Sequence, residues 1–457
     1  MGKEKAIIKN RASLLSHGRK ELREHALDIV EAGIVGGDPG VGTYKIVNCD
    51  GNFLHVGDRC IDLAKIERVY VVGMGKGAFP IAEALESILG ERIFRGTVVV
   101  KKGEKRRLKR IAIVEGGHPV PDEDSVAGAK QILEIADQAG PRDLVFVAVT
   151  GGASALATVC PEGITLSDIQ KINELLLNSG APIRDMNAVR KHLCLLKGGR
   201  LVSRIQPAEA ITLTLDTRPK GMKWPDVSLP DETTFQDAIE VLRFYDLWDD
   251  APESVRNYLM MGAEHPELET LKTLDGVKGR IFYVGSPLRV LSTAEEKARC
   301  LGYQPYILAT NIQGESVASG ICLAGIANEI LLRNRPFPMP CVLISGGETT
   351  AAISTNSGIG GPNQEFILGF ACEVEEADNF AAVAVDTDGT DGPTQIAGGI
   401  SDGQTLRRAK AIGVDIKKYL KNHDSSTALS RLDDAIITGN TGTNMKNLRI
   451  IVIGSLK

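Results

Sequence analysis

Val69-Tyr70-Val71-Val72-Gly73-Met74-Gly75-Lys76-Gly77-Ala78 joins a short apolar run to a glycine turn, and residues 78–89 then carry apolar side chains at helical spacing as far as Gly90. A β-branched run of this length reads as a strand buried on both faces, and the turn reads as the entry to a helix. Gly73, Gly75 and Ala78 fit the G-x-G-x-x-G/A fingerprint, with Gly77 beside them. In such a turn glycines let an anionic group approach a helix N-terminus. Lys76 adds a positive charge in the middle of the turn.

Working outward, the pattern predicts a helix over 26–34, strands over 96–101, 111–115 and 144–150, and a helix over 125–136. Helices follow over 168–177 and 187–196, then a strand over 211–215, a Pro-containing irregular loop over 218–230 and a helical stretch over 233–261. After Asp275 the alternation restarts, with strands at 281–284, 306–309, 341–344, 381–385 and 450–453 and helices at 290–301 and 315–332. Strand alternating with helix is the mark of a doubly wound α/β sheet. The expected architecture is two α/β units: a Rossmann-like domain over 1–275 and a second α/β domain over 276–457. Such sheets bind ligands at the carboxyl ends of their strands.

The 457 residues carry 53 Lys+Arg against 58 Asp+Glu, for a formal charge of −5, which does not suit a protein that binds nucleic acid through a basic surface. The first 20 residues are basic and polar without an apolar h-region, and no run of 18 apolar residues occurs, so no membrane partner and a cytoplasmic location are expected. The eight cysteines form neither a C-x-x-C pair nor a Cys/His cluster at zinc spacing, and they read as reduced core residues.

Two more glycine pairs follow predicted strands: Gly151-Gly152, with Ser154 close behind, and Gly346-Gly347, with Glu348 next. Each is expected to present backbone amides to an anion, and together with Gly73, Gly75 and Gly77 they are the candidate nucleotide-binding residues. Gly152 to Ala155 does not match the G-x-S-x-G nucleophile elbow. Asp386, Asp388 and Asp391 lie between glycines after a strand, a spacing that lets hard oxygen ligands converge on Mg²⁺, and the twelfth position from Asp386 is Ala397 where an EF-hand needs Glu. Surface Asp-Gly turns are the plain alternative. Asn187, Arg190, Lys191, His192, Lys197 and Arg200 cluster on one predicted helix and its glycine end. Asn187, Arg190 and Lys197 recur near helical spacing, so they are expected either to face one anion or to form a solvated basic face. His118, in Gly117-His118-Pro119, reads as a loop-stabilising residue. A nicotinamide site needs an acid at the end of the second strand, and Lys101 and Lys102 stand there instead.

Taken in order, the segments 73–78, 116–125, 151–156, 187–201, 346–350, 361–365, 388–394 and 442–448 resemble the motifs of the class II glycerate kinases, also known by their C-terminal MOFRL domain and in some members labelled hydroxypyruvate reductases. The resemblance implies two three-layer α/β/α domains with mainly parallel sheets and the active site in the cleft between them, with the MOFRL region over about 340–457. It implies ATP- and Mg²⁺-dependent phosphorylation of D-glycerate to 2-phosphoglycerate. On this reading Lys76, Asp388 and Asp391 are catalytic, and Asp216, Asp386 and Asp388 hold the metal. Ser154, Asn187, Arg190, Lys197, Glu348, Asn363 and Gln364 face a small hydroxy acid. Two positions depart from the family pattern: Pro362 stands where an arginine is usual, and Lys220 where an acid is usual, with Arg218 and Lys220 as the nearest replacement cations. The alternatives are an NAD(P)H-dependent hydroxypyruvate reductase and a divergent kinase or sensor for another small sugar acid. A homodimer is compatible with all three.

Overall fold

The computed structural model describes residues 7–216, 224–351, 357–374 and 378–455. They form two compact units. One is Pro39–Gly285; the other joins the chain up to Asp38 to Ser286–Lys457. This differs from a division near residue 275 in chain order. The helix Lys20–Gly36 explains it: Gly33 and Gly36 lie against Ala294 and Thr293 of the helix Pro287–Cys300, so the opening helix is part of the later unit's core.

Pro39–Gly285 opens with the helix Pro39–Ile46 and a small antiparallel sheet of β1 (Val47–Asp50), β2 (Phe53–Val56) and β3 (Arg59–Asp62), which the sequence pattern does not announce. Its main sheet has six strands: β4 (Val69–Met74), β5 (Ile93–Lys101), β6 (Ile111–Gly116), β7 (Leu144–Val149), β8 (Glu209–Leu215) and β9 (Gly279–Gly285). Their order is β6-β5-β4-β7-β8-β9 and every pairing is parallel. This is the doubly wound 3-2-1-4-5-6 order, whose direction reverses between β4 and β7. Tyr70, Val72, Met74, Val145, Val147 and Val149 pack with Ile132, Ile135 and Ala136 of the helix Glu123–Gln138. All six residues of β4 and all six of β7 are buried, because helices cover both faces of these central strands. A separate helical layer encloses Ile172, Val189, Phe235, Leu242 and Leu259.

The other unit holds β10 (Gln304–Glu315), β11 (Cys341–Thr350), β12 (Phe380–Asp386), β13 (Gly398–Asp402), β14 (Ala435–Ile436) and β15 (Asn447–Ile453) in the order β10-β11-β15-β12-β13-β14. Only β10 and β11 pair in parallel, so this sheet is mixed and the expectation of a mainly parallel one is corrected. The last strand, β15, inserts between β11 and β12 and runs against both. The helices Ser316–Arg333 and Pro362–Glu373 pack on the sheet through Leu323, Ala327, Ile330, Phe366 and Phe370. Ser316–Arg333 is long and apolar enough to cross a membrane by length and composition, and here it contributes to this core.

All eight cysteines are free thiols. Cys194 and Cys341 are buried, whereas Cys60, Cys300 and Cys322 are exposed, so they are not uniformly core residues.

Candidate active site

The reversal point of the parallel sheet puts two glycine turns side by side, at the carboxyl ends of β4 and β7. The first turn is not the anion cradle its sequence suggests. Its amides are used internally: Gly75 N–H donates to the Val99 carbonyl at 3.1 Å, Lys76 N–H to the Gly151 carbonyl at 2.9 Å and Gly77 N–H to Thr150 Oγ1 at 2.8 Å. Gly73 and Gly75 are glycines for packing, since an added Cβ would stand 2.8 Å from the Ala148 carbonyl oxygen at Gly73 and 2.3 Å from Thr150 Oγ1 at Gly75. Gly75, at φ 130°, also has a backbone that side-chain-bearing residues rarely adopt.

The second turn is the open one. The amides of Gly151 and Gly152 have no hydrogen-bond acceptor among the described residues, and Gly152 stands at φ 87° immediately before the short helix Ala153–Leu156. Over Gly152 two side chains meet: a Cβ added there would lie 3.2 Å from Lys76 Cγ and 3.1 Å from His118 Cδ2. Lys76 and His118 are both half-buried. The site is therefore a pair of amides flanked by a lysine and an imidazole, a donor set suited to a phosphate or carboxylate. His118 is the residue that sequence reasoning read as loop-stabilising; it follows β6, the edge strand of the sheet, and only the fold brings it over Gly152.

A cleft of about 460 Å³ continues from Ser154 past Asn187 and Lys191 to Asp226 and Asp231, with Trp224 and Phe244 on its walls. Lys197 is buried and donates to the Ser154 carbonyl at 3.0 Å, which fixes the chain just behind the open turn. Lys191 is held by Asp231 at 2.9 Å. Desolvation raises the proton affinity of Asp226, and Lys197 and Lys191 oppose it.

The basic cluster does not converge on one anion as expected. Its helix is Ile183–His192, which starts and ends four residues before the 187–196 reading, so Lys197 and Arg200 lie beyond it. Arg190 Nε donates to Asn173 Oδ1 at 2.7 Å, and Arg200 donates to the carbonyls of Lys191, Cys194 and Leu268. His192 is buried between the Ala188 carbonyl and Glu269. Of Asn187, Arg190 and Lys197, only Asn187 lines the cleft. Asp216 follows β8, its amide donating to the Gly285 carbonyl at 2.8 Å. Arg218 and Lys220 lie outside the described residues.

In the other unit Gly346 and Gly347 are not in a turn after a strand; they are inside β11, paired with Leu448 and Asn447. A Cβ on Gly347 would stand 2.1 Å from the Ile312 carbonyl oxygen, where β10 shifts register, so this glycine serves strand packing. Their expected nucleotide-binding role is corrected on that ground. Glu348 is exposed and paired with Lys446 at 3.1 Å.

The aspartates after β12 do not converge either. Asp386 Oδ1 accepts the Asp388 amide at 3.0 Å, and Asp388 Oδ1 accepts the Thr390 amide at 2.9 Å; both stay half-buried at the strand end. Asp391 is buried at the N-terminus of the helix Pro362–Glu373, where it accepts the amides of Asn363 at 3.1 Å and Gln364 at 3.0 Å and both of their side-chain nitrogens. A carboxylate there satisfies amides that a helix leaves unpaired. Asp391 is thus a helix anchor, and Asn363 and Gln364, fully buried, are its partners instead of substrate ligands. Behind them Arg449 lies over the Phe366 ring and donates to Thr349 Oγ1 at 2.8 Å; burial lowers its pKa to about 10, opposed by Asp391 and Asp386. Among the described residues no three His, Cys, Asp or Glu side chains gather to hold a metal by themselves.

Comparison with known proteins places the chain in a family. A family model described as a domain of unknown function, DUF4147, matches residues 25–260, and the MOFRL family model matches residues 341–447. A glycerate 2-kinase of Pyrococcus horikoshii is 38% identical, the alignment covering 95% of this chain and 98% of that protein. A D-glycerate 2-kinase of Thermotoga maritima is 38% identical over 85% of this chain and 91% of that protein. The crystal structure of a Thermotoga maritima glycerate kinase covers 95% of this chain and 100% of its own, at 35% identity and a TM-score of 0.82. Fold, site and relatives define an α/β phosphotransferase acting on a small acid. The chain belongs to the glycerate kinase family that joins a DUF4147 region to a MOFRL region.

Proposed function

We propose that the protein transfers the γ-phosphoryl group of ATP to the 2-hydroxyl of D-glycerate, giving 2-phosphoglycerate and ADP. The observation that carries the reading is the convergence of Lys76 and His118 over the open amides of Gly151 and Gly152. Phosphoryl transfer asks little covalent help from a protein and depends on positioning and charge neutralisation. Lys76 neutralises charge on the transferred group, the two amides hold its oxygens, and His118 donates a further hydrogen bond. Lys197 keeps Ser154 and the turn in place through the Ser154 carbonyl. Asn187 and Lys191, on the cleft wall, orient the acid.

Mg²⁺ binds through one or two carboxylates with water and phosphate oxygens completing its shell, so it does not need a full protein cage. Asp386 and Asp388, half-buried at the end of β12 in one unit, are carboxylates of the kind that suit it, and Asp216, half-buried at the end of β8 in the other unit, is separately another. The ion would neutralise charge between the phosphates. A reductase reading finds no support at β5: Lys102 at its end is paired with Asp122 at 2.6 Å. We read the enzyme as cytoplasmic.

The test is ADP release by purified protein supplied with ATP, Mg²⁺ and D-glycerate, tartronate or erythronate in turn. Turnover is expected with D-glycerate; release only with another acid would move the substrate assignment.

A further inference from the structure

The cleft that runs from Ser154 holds a carboxylate to which phosphoryl transfer gives no part, that of Asp226. The segment carrying it is tied down on both sides, within the unit Pro39–Gly285. Before it, Trp224 Nε1 donates to Thr214 Oγ1 at 2.8 Å, and Thr214 Oγ1 donates at 2.8 Å to the carbonyl of Val149, the last residue of β7 and two before Gly151. The Asp226 carbonyl accepts the Gly199 amide at 2.7 Å. After it, the Val227 carbonyl accepts the Val202 amide at 3.2 Å, and Ser228 Oγ shares a 2.8 Å hydrogen bond with Thr212 Oγ1. A side chain on so fixed a backbone loses little freedom when a ligand arrives, which is what preorganisation requires.

Other acids of this cleft are engaged by the protein itself. Asp185 accepts the Tyr245 hydroxyl at 2.9 Å, Asp231 accepts the Lys191 ammonium at 2.9 Å, and Asp237 accepts the Thr234 amide at 2.7 Å. Asp226 is half-buried and lines the cleft, and its carboxylate takes no hydrogen bond from another of the described residues. Lys197 and Lys191 lie close enough to act on it by charge, yet their ammoniums are committed, Lys197 to the Ser154 carbonyl at 3.0 Å and Lys191 to Asp231. Two ammoniums against Asp226 and Asp231 leave this end of the cleft balanced. A ligand carboxylate laid on Asp226 would add charge that nothing answers, whereas a hydroxyl supplies the donor that Asp226 lacks.

We infer that Asp226 is a specificity-determining residue: it accepts a hydrogen bond from the substrate hydroxyl that is not phosphorylated, and it turns away an acid that carries a carboxylate in that place. The inference rests on the reading of the protein as a kinase of a small hydroxy acid and deepens it. On D-glycerate the hydroxyl in question is that of C3. Tartronate has the same 2-hydroxyl and a carboxylate at that carbon, so the pair of acids isolates what Asp226 contributes. A site built to pair a substrate hydroxyl rejects an analogue lacking it more strongly than an apolar pocket rejects a change of size.

D-glycerate and tartronate are titrated by calorimetry, without nucleotide, into the full chain and into Asp226→Asn and Asp226→Ala, with melting temperatures recorded for each. Steady-state kinetics with ATP and Mg²⁺ follow for both acids. Asp226→Asn keeps the shape and the backbone bonds and gives up the charge. The wild type is expected to prefer D-glycerate. In Asp226→Asn that preference, taken as the ratio of the two affinities and of the two kcat/KM values, is expected to fall about 10- to 150-fold, the size of one hydrogen bond to a charged group. D-glycerate binds more weakly and tartronate more tightly. Asp226→Ala moves the ratio in the same direction. An equal loss for both acids in a folded variant is what a merely structural residue would give, and it would overturn the inference. So would an unchanged ratio, a wild type without preference, or a wild type that binds neither acid. If no acid supports ADP release, the kinase reading has failed, and the ratio of affinities still decides the role of Asp226.

Discussion

Lys76 and His118, 42 positions apart in the chain, come together over one α-carbon, that of Gly152, with Lys76 Cγ and His118 Cδ2 at 3.2 and 3.1 Å from where its Cβ would be. Gly152 is needed twice, for its φ of 87° and for this space. Gly152→Ala is predicted to cost about 1–2 kcal/mol from the left-handed backbone and, beyond that, to lower kcat/KM by displacing both side chains. Denaturant unfolding and steady-state kinetics on the same preparation separate the two effects.

Lys76→Ala is predicted to lower kcat/KM by roughly a hundred- to a thousandfold, the scale of removing one preorganised charge stabiliser. The melting temperature should change little, since the turn's backbone bonds to Val99, Gly151 and Thr150 do not involve its side chain. An unchanged rate would remove Lys76 from the mechanism.

Asp388 and Asp391 sit three residues apart and are predicted to behave differently. Asp391→Ala leaves the backbone amides of Asn363 and Gln364 unpartnered in the core and should cost about 2–5 kcal/mol, with the Mg²⁺ requirement of the surviving folded protein unchanged. Asp388→Asn should leave the fold intact and raise the Mg²⁺ concentration for half-maximal rate, because coordination loses a charge. Metal titrations of both variants, with melting curves, distinguish an anchor from a ligand.

Glu365 gives a pH prediction. Burial raises its pKa in the folded chain, with the hydrogen bond and charge of His423 pulling the other way. A raised folded pKa means the folded state holds the proton more tightly, so this stabilisation is complete below the unfolded value of about 4.3 and is lost as pH rises through the folded one. Glu365→Gln removes the titration. Urea unfolding of the two proteins across this range should show the difference shifting toward the Gln variant as pH rises and then levelling; a pH-independent difference would contradict the shift.

The order of strands and helices from Val69 to Val149 was legible because each strand is a compact apolar run and each helix carries its own period, the one strand-to-strand step being β5 to β6. The unit boundary was not, since the packing of Gly36 against Thr293 joins segments about 250 residues apart in sequence and leaves no local mark. The strands β1 to β3 are four residues each, too short to show a clear alternation. Glycine turns were legible as glycines and not as roles: Gly75 is explained by Thr150, Gly347 by Ile312, and only Gly151 and Gly152 keep open amides. The Asp391 carboxylate reads as a metal ligand from its neighbours in sequence, and becomes a helix anchor through contacts with Asn363 and Gln364. Lys76 was found from its turn, whereas His118 required the sheet order to bring it there.

The central claim is that this chain phosphorylates D-glycerate at its 2-hydroxyl, and the product of a single reaction tests it. Wild-type protein with ATP, Mg²⁺ and D-glycerate is followed by adding enolase without a phosphoglycerate mutase. Immediate formation of phosphoenolpyruvate in constant proportion to the ADP released is the predicted result, because enolase acts on 2-phosphoglycerate directly. ADP release with phosphoenolpyruvate appearing only after mutase is added would show transfer to the 3-hydroxyl and contradict the claim, as would no ADP release alongside hydroxypyruvate-dependent oxidation of NADH or NADPH.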